Sequence, residues 1–219
     1  MRTLYPMMAD ISGKRCLVVG GGAVAERKIA GLLQADAQVV VVSPRATKAI
    51  AEWQAAGRLE LILRMYECGD GEEAALVFAC TDDAETNVRV HADAMLRGQP
   101  INVADRPDLC TFVVPAVWRK GHLLVAVSTS GTSPLAASRL RDRIGQAIGE
   151  EIDGFLEFAA AYRKDVFRVT SDPERRKRLL AELFSDEALD AVQAGNWADM
   201  KETMAAKLNE ASAASSSDP

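Results

Sequence analysis

The stretch that decides the fold is RCLVVGGGAVAERKIAGLL, residues 15–33. An apolar run with its core at residues 17–19 ends in three consecutive glycines, and a run with helical periodicity follows from residue 23 to residue 34. A short apolar run bounded by glycines is typical of a buried strand, and the run after it has the period of an amphipathic helix. The order strand, glycines, helix therefore predicts the first unit of an α/β sheet.

The same alternation continues to about residue 115. Residues 37–44, the run from residue 59, residues 75–80 and residues 100–105 have the pattern of strands, whereas residues 46–56 and 84–97 have the pattern of helices. Four consecutive valines in the second strand suit a sheet that is covered on both faces. Strands that alternate with helices of this length predict right-handed crossovers and a Rossmann-type, doubly wound parallel sheet.

After residue 110 the pattern changes. Two strands are predicted at residues 111–118 and 122–128 with a turn at residues 120–121, and nearly everything that follows is helical, starting with residues 135–149 and 152–167. Two further helical runs, RKRLLAELF and DMKETMAAKLNEA, come after a break in which Ser171 or Asp172 could cap a helix. The predicted class is α/β, a Rossmann-type domain followed by a small α+β region and a helical C-terminal domain.

The glycines between the first strand and helix indicate a phosphate-binding turn. Gly20, Gly22 and Ala25 fit the pattern G-x-G-x-x-G/A. In that pattern the first glycine permits a tight turn, the second lets a pyrophosphate approach the backbone, and the third small residue lets helix and strand pack closely. The helix N-terminus, at Ala23 and Val24, would face the phosphates. The hypothesis is a dinucleotide site, with a glycine-rich turn that binds nothing as the alternative.

The residues alone leave NAD and NADP open. The pattern expects an acidic residue at the end of the second strand to bind the ribose hydroxyls. That place is taken by Ser43, Pro44 and Arg45. Ser43 could bind the ribose hydroxyls, and Arg45 could suit a 2′-phosphate.

Polar residues also follow two later strands of the predicted sheet. Thr81 and Asp82 come after the strand that ends at Cys80, and Asn102 and Asp105 lie at or near the end of the next one. Ligands bind at this carboxyl edge in open α/β sheets, so these side chains would face a cofactor. Two alternatives remain: an aspartate at 82 or 83 could only cap the next helix, and Asp105 could only form a turn.

A third polar cluster joins the last predicted strand to a helix. It is AVSTSGTSP, in which Pro134 is the expected first helical residue and Ser133 the expected cap. Backbone amides, hydroxyls and the positive end of a helix dipole can bind a carboxylate or a phosphate. The predicted substrate-binding residues are Ser128, Thr129, Ser130, Gly131, Thr132 and Ser133, and an ordinary capped helix start is the alternative.

Composition excludes several classes of protein. A formal net charge of -5 does not fit wholesale nucleic-acid binding, which needs a basic excess. No run approaches the ~20 apolar residues of a membrane span, and the N-terminus lacks a signal-peptide core. The four cysteines and two histidines form no metal-ligand pattern, so no metal site is predicted, and reduced thiols in a cytoplasmic protein are expected.

Together these motifs resemble the precorrin-2 dehydrogenases, the siroheme-synthesis enzymes found alone or as the N-terminal half of fused siroheme synthases. LVVGGGAVAERK, ACTDD, NVAD and VAVSTSGTSPLAASRLR occur here in the order seen in that family, and the resemblance covers about residues 1–200. It implies an NAD-binding Rossmann domain over residues 1–113, a dimerisation region over 114–150 and a helical C-terminal domain over 151–210. The small polar tail, residues 211–219, is expected to be disordered.

The resemblance also implies the chemistry. It implies NAD-dependent oxidation of precorrin-2 to sirohydrochlorin by a homodimer and, in many members, insertion of ferrous iron to give siroheme. Relatives that only dehydrogenate leave the iron step open. The essential aspartate of the family falls on Asp105, and a serine that is phosphorylated in some members falls on Ser128. The eight substrate carboxylates would need cations, for which the candidates are Arg106, Arg119, Lys120, Arg139 and Arg141.

Two other functions fit part of the pattern. A non-catalytic NAD-sensing module would need the glycines but neither Asp105 nor the polar loop at 126–134. A Rossmann dehydrogenase of another small acid would need a dinucleotide but no tetrapyrrole. Formation of a strongly absorbing product from precorrin-2 and NAD would distinguish a precorrin-2 dehydrogenase from both of these alternatives.

Overall fold

The computed structural model describes residues 3–215 and, within them, all side chains except those of 211 and 213–215. The chain divides into two compact units, one ending at Val114 and the other beginning at Pro115. The elements of the first unit are β1 (Arg15–Val19), α1 (Ala23–Gln34), β2 (Gln38–Val42), α2 (Lys48–Ala55), β3 (Glu60–Ile62), β4 (Leu76–Ala79), α3 (Ala84–Leu96), β5 (Ile101–Val103) and a 3-10 turn (Pro107–Leu109). Those of the second unit are β6 (Ala116–Lys120), β7 (Leu123–Val127), α4 (Pro134–Ile148), α5 (Ile152–Val169), α6 (Pro173–Leu183), α7 (Asp186–Gln193) and α8 (Ala198–Ser215).

The first unit is a five-stranded parallel sheet in the order β3-β2-β1-β4-β5. Strands β1, β2, β4 and β5 are largely buried because alternate side chains enter two separate apolar clusters, whereas the edge strand β3 is partly exposed. Cys16 and Val18 of β1 pack with helix α1 in one cluster, whereas Leu17 and Val19 pack with the interior of α3 in the other. This arrangement confirms the predicted Rossmann-type sheet and explains the unbroken apolar runs in its strands.

The second unit combines an antiparallel hairpin with helices. β6 pairs with β7, and Trp118 and Leu123 of this hairpin pack against a core formed mainly by α5, α6 and α7. Helix α4 lies so close to the hairpin that a Cβ at Gly145 would overlap the indole of Trp118. Phe155, at the centre of the helical core, contacts Phe184 and Trp197 edge to face.

The first strand of the hairpin begins later than the sequence predicts. Residues 111–115 are not part of it, because this segment is bound to the Rossmann sheet: the amide of Thr111 donates to the carbonyl of Ile101, and its hydroxyl oxygen accepts from the amide of Ile101. The predicted strand at 111–118 is therefore wrong in its first half, and β6 occupies Ala116–Lys120.

The helical region also differs from the prediction. Helix α7, capped by the Ser185 hydroxyl, was not predicted, because eight residues leave little periodic signal. Asp172 rather than Ser171 caps α6. Helix α8 continues to Ser215, five residues beyond the predicted end of the helical domain at 210, whereas residues 216–219 of the predicted disordered tail lie outside the described residues. Within residues 3–215 no helix has the length and apolar character needed to span a bilayer.

Candidate active site

The sheet brings the predicted cofactor-binding residues of the first unit to one edge, except Asn102, which lies within β5. The order β2-β1-β4-β5 sets the ends of these four strands side by side. The loops that leave this carboxyl edge contain the glycines after β1, residues 43–45 after β2, residues 81–82 after β4 and Asp105 after β5. In open parallel sheets this edge is where ligands bind.

The three consecutive glycines differ in what a side chain would meet at each position. Gly20 has a φ of +116°, and a Cβ there would overlap the backbone of Cys80. Gly21 passes so close to the loop after β2 that a Cβ would overlap the carbonyl of Arg45, and its own carbonyl accepts from the amide of Thr47. Gly22 is different, because a Cβ there meets nothing within 4 Å. The first two glycines are needed by the fold, whereas the third leaves open space for a ligand.

Helix α1 starts without a side-chain cap. Gly22 is its N-cap residue, and no side chain accepts from the first amides. By contrast, side chains of Thr47, Asp83 and Ser133 cap α2, α3 and α4. The first amides of a helix need an acceptor, and a phosphate is a suitable one because the helix dipole also favours negative charge. This geometry fits the pyrophosphate of a dinucleotide.

The loop after β2 uses Ser43 to hold its own shape. Ser43 is buried, and its Oγ donates to the carbonyl of Arg45 at 2.6 Å. This bond positions the loop against Gly21, so the hydroxyl proton is not available to the ribose in this arrangement. Pro44 and Arg45 are exposed at the edge and stay predicted contacts of the adenosine side.

The loop after β4 is held by a residue that the sequence analysis missed. The buried Asn87 accepts from the amide and hydroxyl of Thr81, at 3.2 and 2.9 Å, and donates to its carbonyl at 2.9 Å. Asp83 caps α3 by accepting from the amides of Glu85 and Thr86, whereas Asp82 is exposed. Of the two aspartates, 83 therefore acts as the cap, and Asp82 stays a predicted cofactor contact.

Asn102 lies within β5 and is buried. Its Nδ2 donates to the carbonyl of Phe112 at 3.0 Å, so the amide holds segment 110–112 against the sheet. The thiol of Cys110 is part of the same arrangement, since its sulfur accepts from the amide of Val103 at 3.2 Å. The contact made by the Asn102 amide group is therefore with the protein backbone, and a cofactor contact stays a prediction.

Asp105 is exposed two residues after β5 and has a left-handed backbone, with a φ of +56°. Aspartate is one of the few side chains that tolerate this conformation. The adjacent Arg106 forms an ion pair with Asp108 at 2.7 Å. Burial raises the pKa of the nearby Cys80 thiol to about 11, with Lys28 opposing and Asp105 reinforcing the shift. Because that thiol stays protonated at neutral pH, Asp105 is the better candidate for a base at this end of the sheet.

The predicted substrate loop, residues 128–133, belongs to the second unit. Thr129 and Ser133 shape it: the Thr129 hydroxyl donates to the carbonyl of Ser133 and accepts from its amide, at 3.0 and 3.1 Å. The Ser133 hydroxyl caps α4 by accepting from Ala136, as predicted. Residues 130–132 are exposed, and Ser130 and Gly131 have positive φ values. The loop thus presents a turn of exposed backbone and hydroxyl groups.

Three of the five predicted carboxylate-binding cations already have acidic partners. Arg106, Lys120 and Arg141 form ion pairs with Asp108, Glu150 and Asp142 respectively. Arg119 and Arg139 are exposed. Among residues 3–215, no group of three or more His, Cys, Asp or Glu side chains is arranged to hold a metal ion.

The fold and this edge define an NAD(P)-binding Rossmann domain joined to a separate, largely helical unit. Family models match nearly the whole chain: a putative NAD(P)-binding domain at residues 7–116, a sirohaem biosynthesis protein central region at 120–147 and a sirohaem synthase dimerisation region at 151–208. The chain belongs to this family of NAD(P)-binding sirohaem biosynthesis proteins, which confirms the resemblance inferred from the motifs.

Individual relatives agree with this assignment. The chain is 39% identical over 195 residues to a siroheme synthase of Methylobacillus flagellatus, covering 89% of this chain and 42% of the relative. It is 35% identical over 199 residues to a siroheme synthase of Methylococcus capsulatus, covering 91% and 42%. It therefore spans less than half the length of these relatives. A solved structure of SirC, a precorrin-2 dehydrogenase, matches with a TM-score of 0.81 and 26% identity, over 94% of this chain and all of that one.

The sirohaem synthase dimerisation region of the family model corresponds to residues 151–208, whereas the sequence analysis assigned dimerisation to residues 114–150. The predicted cofactor is confirmed as a nicotinamide dinucleotide by the NAD(P)-binding model and by the likeness to a dehydrogenase.

Proposed function

We propose that this protein oxidises precorrin-2 to sirohydrochlorin with NAD. The observation that carries the proposal is the structural match to a precorrin-2 dehydrogenase, which extends over the whole of that protein and over both units of this one. The phosphate-binding turn and Asp105 give the match a chemical basis, since both lie at the same edge of the sheet. A pure NAD-sensing module or a dehydrogenase of another acid would not require the sirohaem-specific regions at 120–147 and 151–208.

The residues of the chain have separate tasks in this reaction. Oxidation removes a hydride and a proton from the substrate, and NAD, when bound, supplies the acceptor for the hydride. The uncapped amides of α1 bind the pyrophosphate, and the open space at Gly22 admits it. The exposed carboxylate of Asp105 accepts the proton, and the exposed loop at 130–132 offers donors to substrate carboxylates.

The direct test supplies purified protein with precorrin-2 and NAD under anaerobic conditions and follows the absorbance of sirohydrochlorin. We expect product formation that depends on both protein and NAD. Absence of any rate above the reaction without protein would refute the dehydrogenase, whereas turnover of an unrelated hydroxy acid would favour the other Rossmann enzyme.

Cofactor choice is expected to favour NAD over NADP. The family resemblance implies NAD, although no carboxylate stands at the end of β2 and the exposed Arg45 could bind a 2′-phosphate. Steady-state rates with the two cofactors measure the preference, and Arg45→Gln should reduce any residual NADP turnover more than NAD turnover. Equal or faster turnover with NADP would mean that Arg45 reads the 2′-phosphate.

We infer that the same protein also inserts ferrous iron into sirohydrochlorin. Metal insertion needs a site for that macrocycle and a base for its pyrrole protons, both of which the dehydrogenase already requires. Ferrous and cobaltous ions accept oxygen ligands, so water and carboxylates are sufficient help. Purified protein mixed with sirohydrochlorin and cobaltous ion should change the absorbance faster than a control without protein. Equal rates with and without protein would mean that the protein is a dehydrogenase that does not insert the metal.

The protein is expected to be a homodimer. The hairpin β6–β7 and helix α4 leave apolar side chains exposed, including Val117, Leu135 and Leu140 at 39%, 65% and 47%. A two-stranded sheet also has unpaired edges, which proteins normally cover. Light scattering should therefore give twice the chain mass of 23.6 kDa, and a mass of 23.6 kDa at micromolar concentration would contradict the prediction.

A matched pair of variants locates the contact between copies. Leu140→Glu on α4 should shift the protein toward monomer, whereas Leu189→Glu on α7, which is exposed to a similar extent at 42%, should not. The reverse result would place the contact in residues 151–208. A cytoplasmic location stays a prediction.

A further inference from the structure

Lys28 is a half-buried cation on the sheet side of α1. It is three residues after Ala25 and four before Leu32, both of which are buried in the apolar cluster between α1 and the sheet. Residues at these spacings share one face of a helix, and a long side chain on a helix leans toward its N-terminus. The ammonium of Lys28 is thus directed along the sheet toward the end of α1 where the glycines lie.

The surroundings of Lys28 offer it no counter-ion. None of the described carboxylates lies within ion-pair distance of its Nζ, and the groups that act on it electrostatically are the thiols of Cys80 and Cys110 and the cation of Arg27. Burial lowers the pKa of Lys28, and burial raises that of Cys80 to about 11, so the thiol is neutral at neutral pH and supplies no counter-charge to the lysine. Partial burial of an unpaired charge is unfavourable and needs a compensating interaction.

The position of Lys28 indicates which ligand provides that interaction. The first amides of α1 have no side-chain acceptor and are assigned to the pyrophosphate in the proposed function. Cys80 directly follows β4 and Cys110 packs against β5, so the two thiols that act on Lys28 belong to the β4–β5 half of the sheet. Asp105 follows β5, and its charge acts on the same Cys80 thiol as that of Lys28. An anion bound between Lys28 and Asp105 would belong to the substrate.

We propose that Lys28 binds a carboxylate of the tetrapyrrole substrate and thereby positions the ring next to Asp105. The inference rests on the proposed function, because it needs a polycarboxylate ligand at this edge. The sequence analysis assigned the carboxylates to five other cations, and three of those are occupied by acidic partners. Lys28 is a half-buried cation at the predicted site that no described acid neutralises.

The test compares Lys28→Met with Lys28→Arg, which keeps the charge, and with Arg27→Met, which removes an exposed charge from the adjacent position of α1. The readouts are the affinity for sirohydrochlorin, the KM for precorrin-2, the affinity for NAD and the melting temperature of the ligand-free protein. Hydrogen bonds to charged groups suggest that Lys28→Met weakens sirohydrochlorin binding by about tenfold or more. The KM should rise in parallel, and Lys28→Arg should recover part of the loss.

Two further results separate this role from a structural one. NAD affinity should be unchanged, and the melting temperature of Lys28→Met should be equal to or above that of the wild type, because an unpaired charge has been removed from a half-buried place. Wild-type sirohydrochlorin affinity in Lys28→Met, an equal loss in Arg27→Met, a joint loss of NAD binding, or a lowered melting temperature would each overturn the proposal. Failure of the wild type to oxidise precorrin-2 would instead overturn the proposed function.

Discussion

Asp105→Asn is expected to reduce the rate of precorrin-2 oxidation by ~10²-fold or more while NAD affinity stays the same. The substitution keeps the shape of the side chain and removes its ability to accept a proton. The left-handed backbone at this position, φ +56°, suits asparagine as well as aspartate, so the fold should not change. Single-turnover rates with saturating NAD and calorimetric titration of NAD measure the two expectations separately.

Asp36→Asn is the matched control for this experiment. Asp36 is also exposed and also has a left-handed backbone, φ 54°, but it lies in the turn between α1 and β2, at the opposite edge of the sheet from Asp105. The rate of precorrin-2 oxidation by Asp36→Asn should equal that of the wild type. A near-normal rate for Asp105→Asn would reduce Asp105 to a turn residue, and a parallel fall in NAD affinity would make it a cofactor ligand instead of a base.

The sequence predicts the first unit well because local and tertiary preferences agree there. Helix α1 occupies residues 23–34 as its periodicity indicates, and the four valines of β2 lie buried in the sheet. The phosphate-binding turn is equally local, since strand, glycines and helix are adjacent in the chain. All strands of a parallel sheet end at the same edge, so the residues that follow them could be gathered there from the sequence alone.

What the sequence did not predict depends on contacts between distant segments. The need for glycine at 21 comes from the loop after β2, and the role of Ser43 comes from the carbonyl of Arg45 in that loop. Segment 111–115 has the composition of a strand, yet its hydrogen bonds to Ile101 keep it out of the hairpin. The partial burial of Lys28 falls in the same category, because it depends on the sheet against which α1 packs, whereas Arg27 next to it is exposed.

Gly22→Asp is expected to abolish most NAD binding while the fold is retained. Gly22 has an extended backbone, φ -86° and ψ -174°, which any residue can adopt, and a side chain there meets no protein atom within 4 Å. Aspartate is a preferred N-cap residue, so its carboxylate would accept from the free amides at the start of α1. The new side chain therefore takes the donors that the pyrophosphate needs and adds a like charge beside it.

The expected loss is large because both effects act at once. Like-charge juxtaposition at an interface costs several kcal/mol, which corresponds to a fall in NAD affinity of ~100-fold or more. The melting temperature of the ligand-free variant should be equal to or higher than that of the wild type, since the helix gains a cap.

Gly31→Asp is the control: it adds the same charge to the same helix, in equally open space but two turns from the phosphate site, and NAD affinity should be retained. Gly21→Ala gives the opposite pattern, because its Cβ would overlap the carbonyl of Arg45 and lower the melting temperature even without ligand. Unchanged NAD affinity in Gly22→Asp would show that the pyrophosphate does not bind at the start of α1.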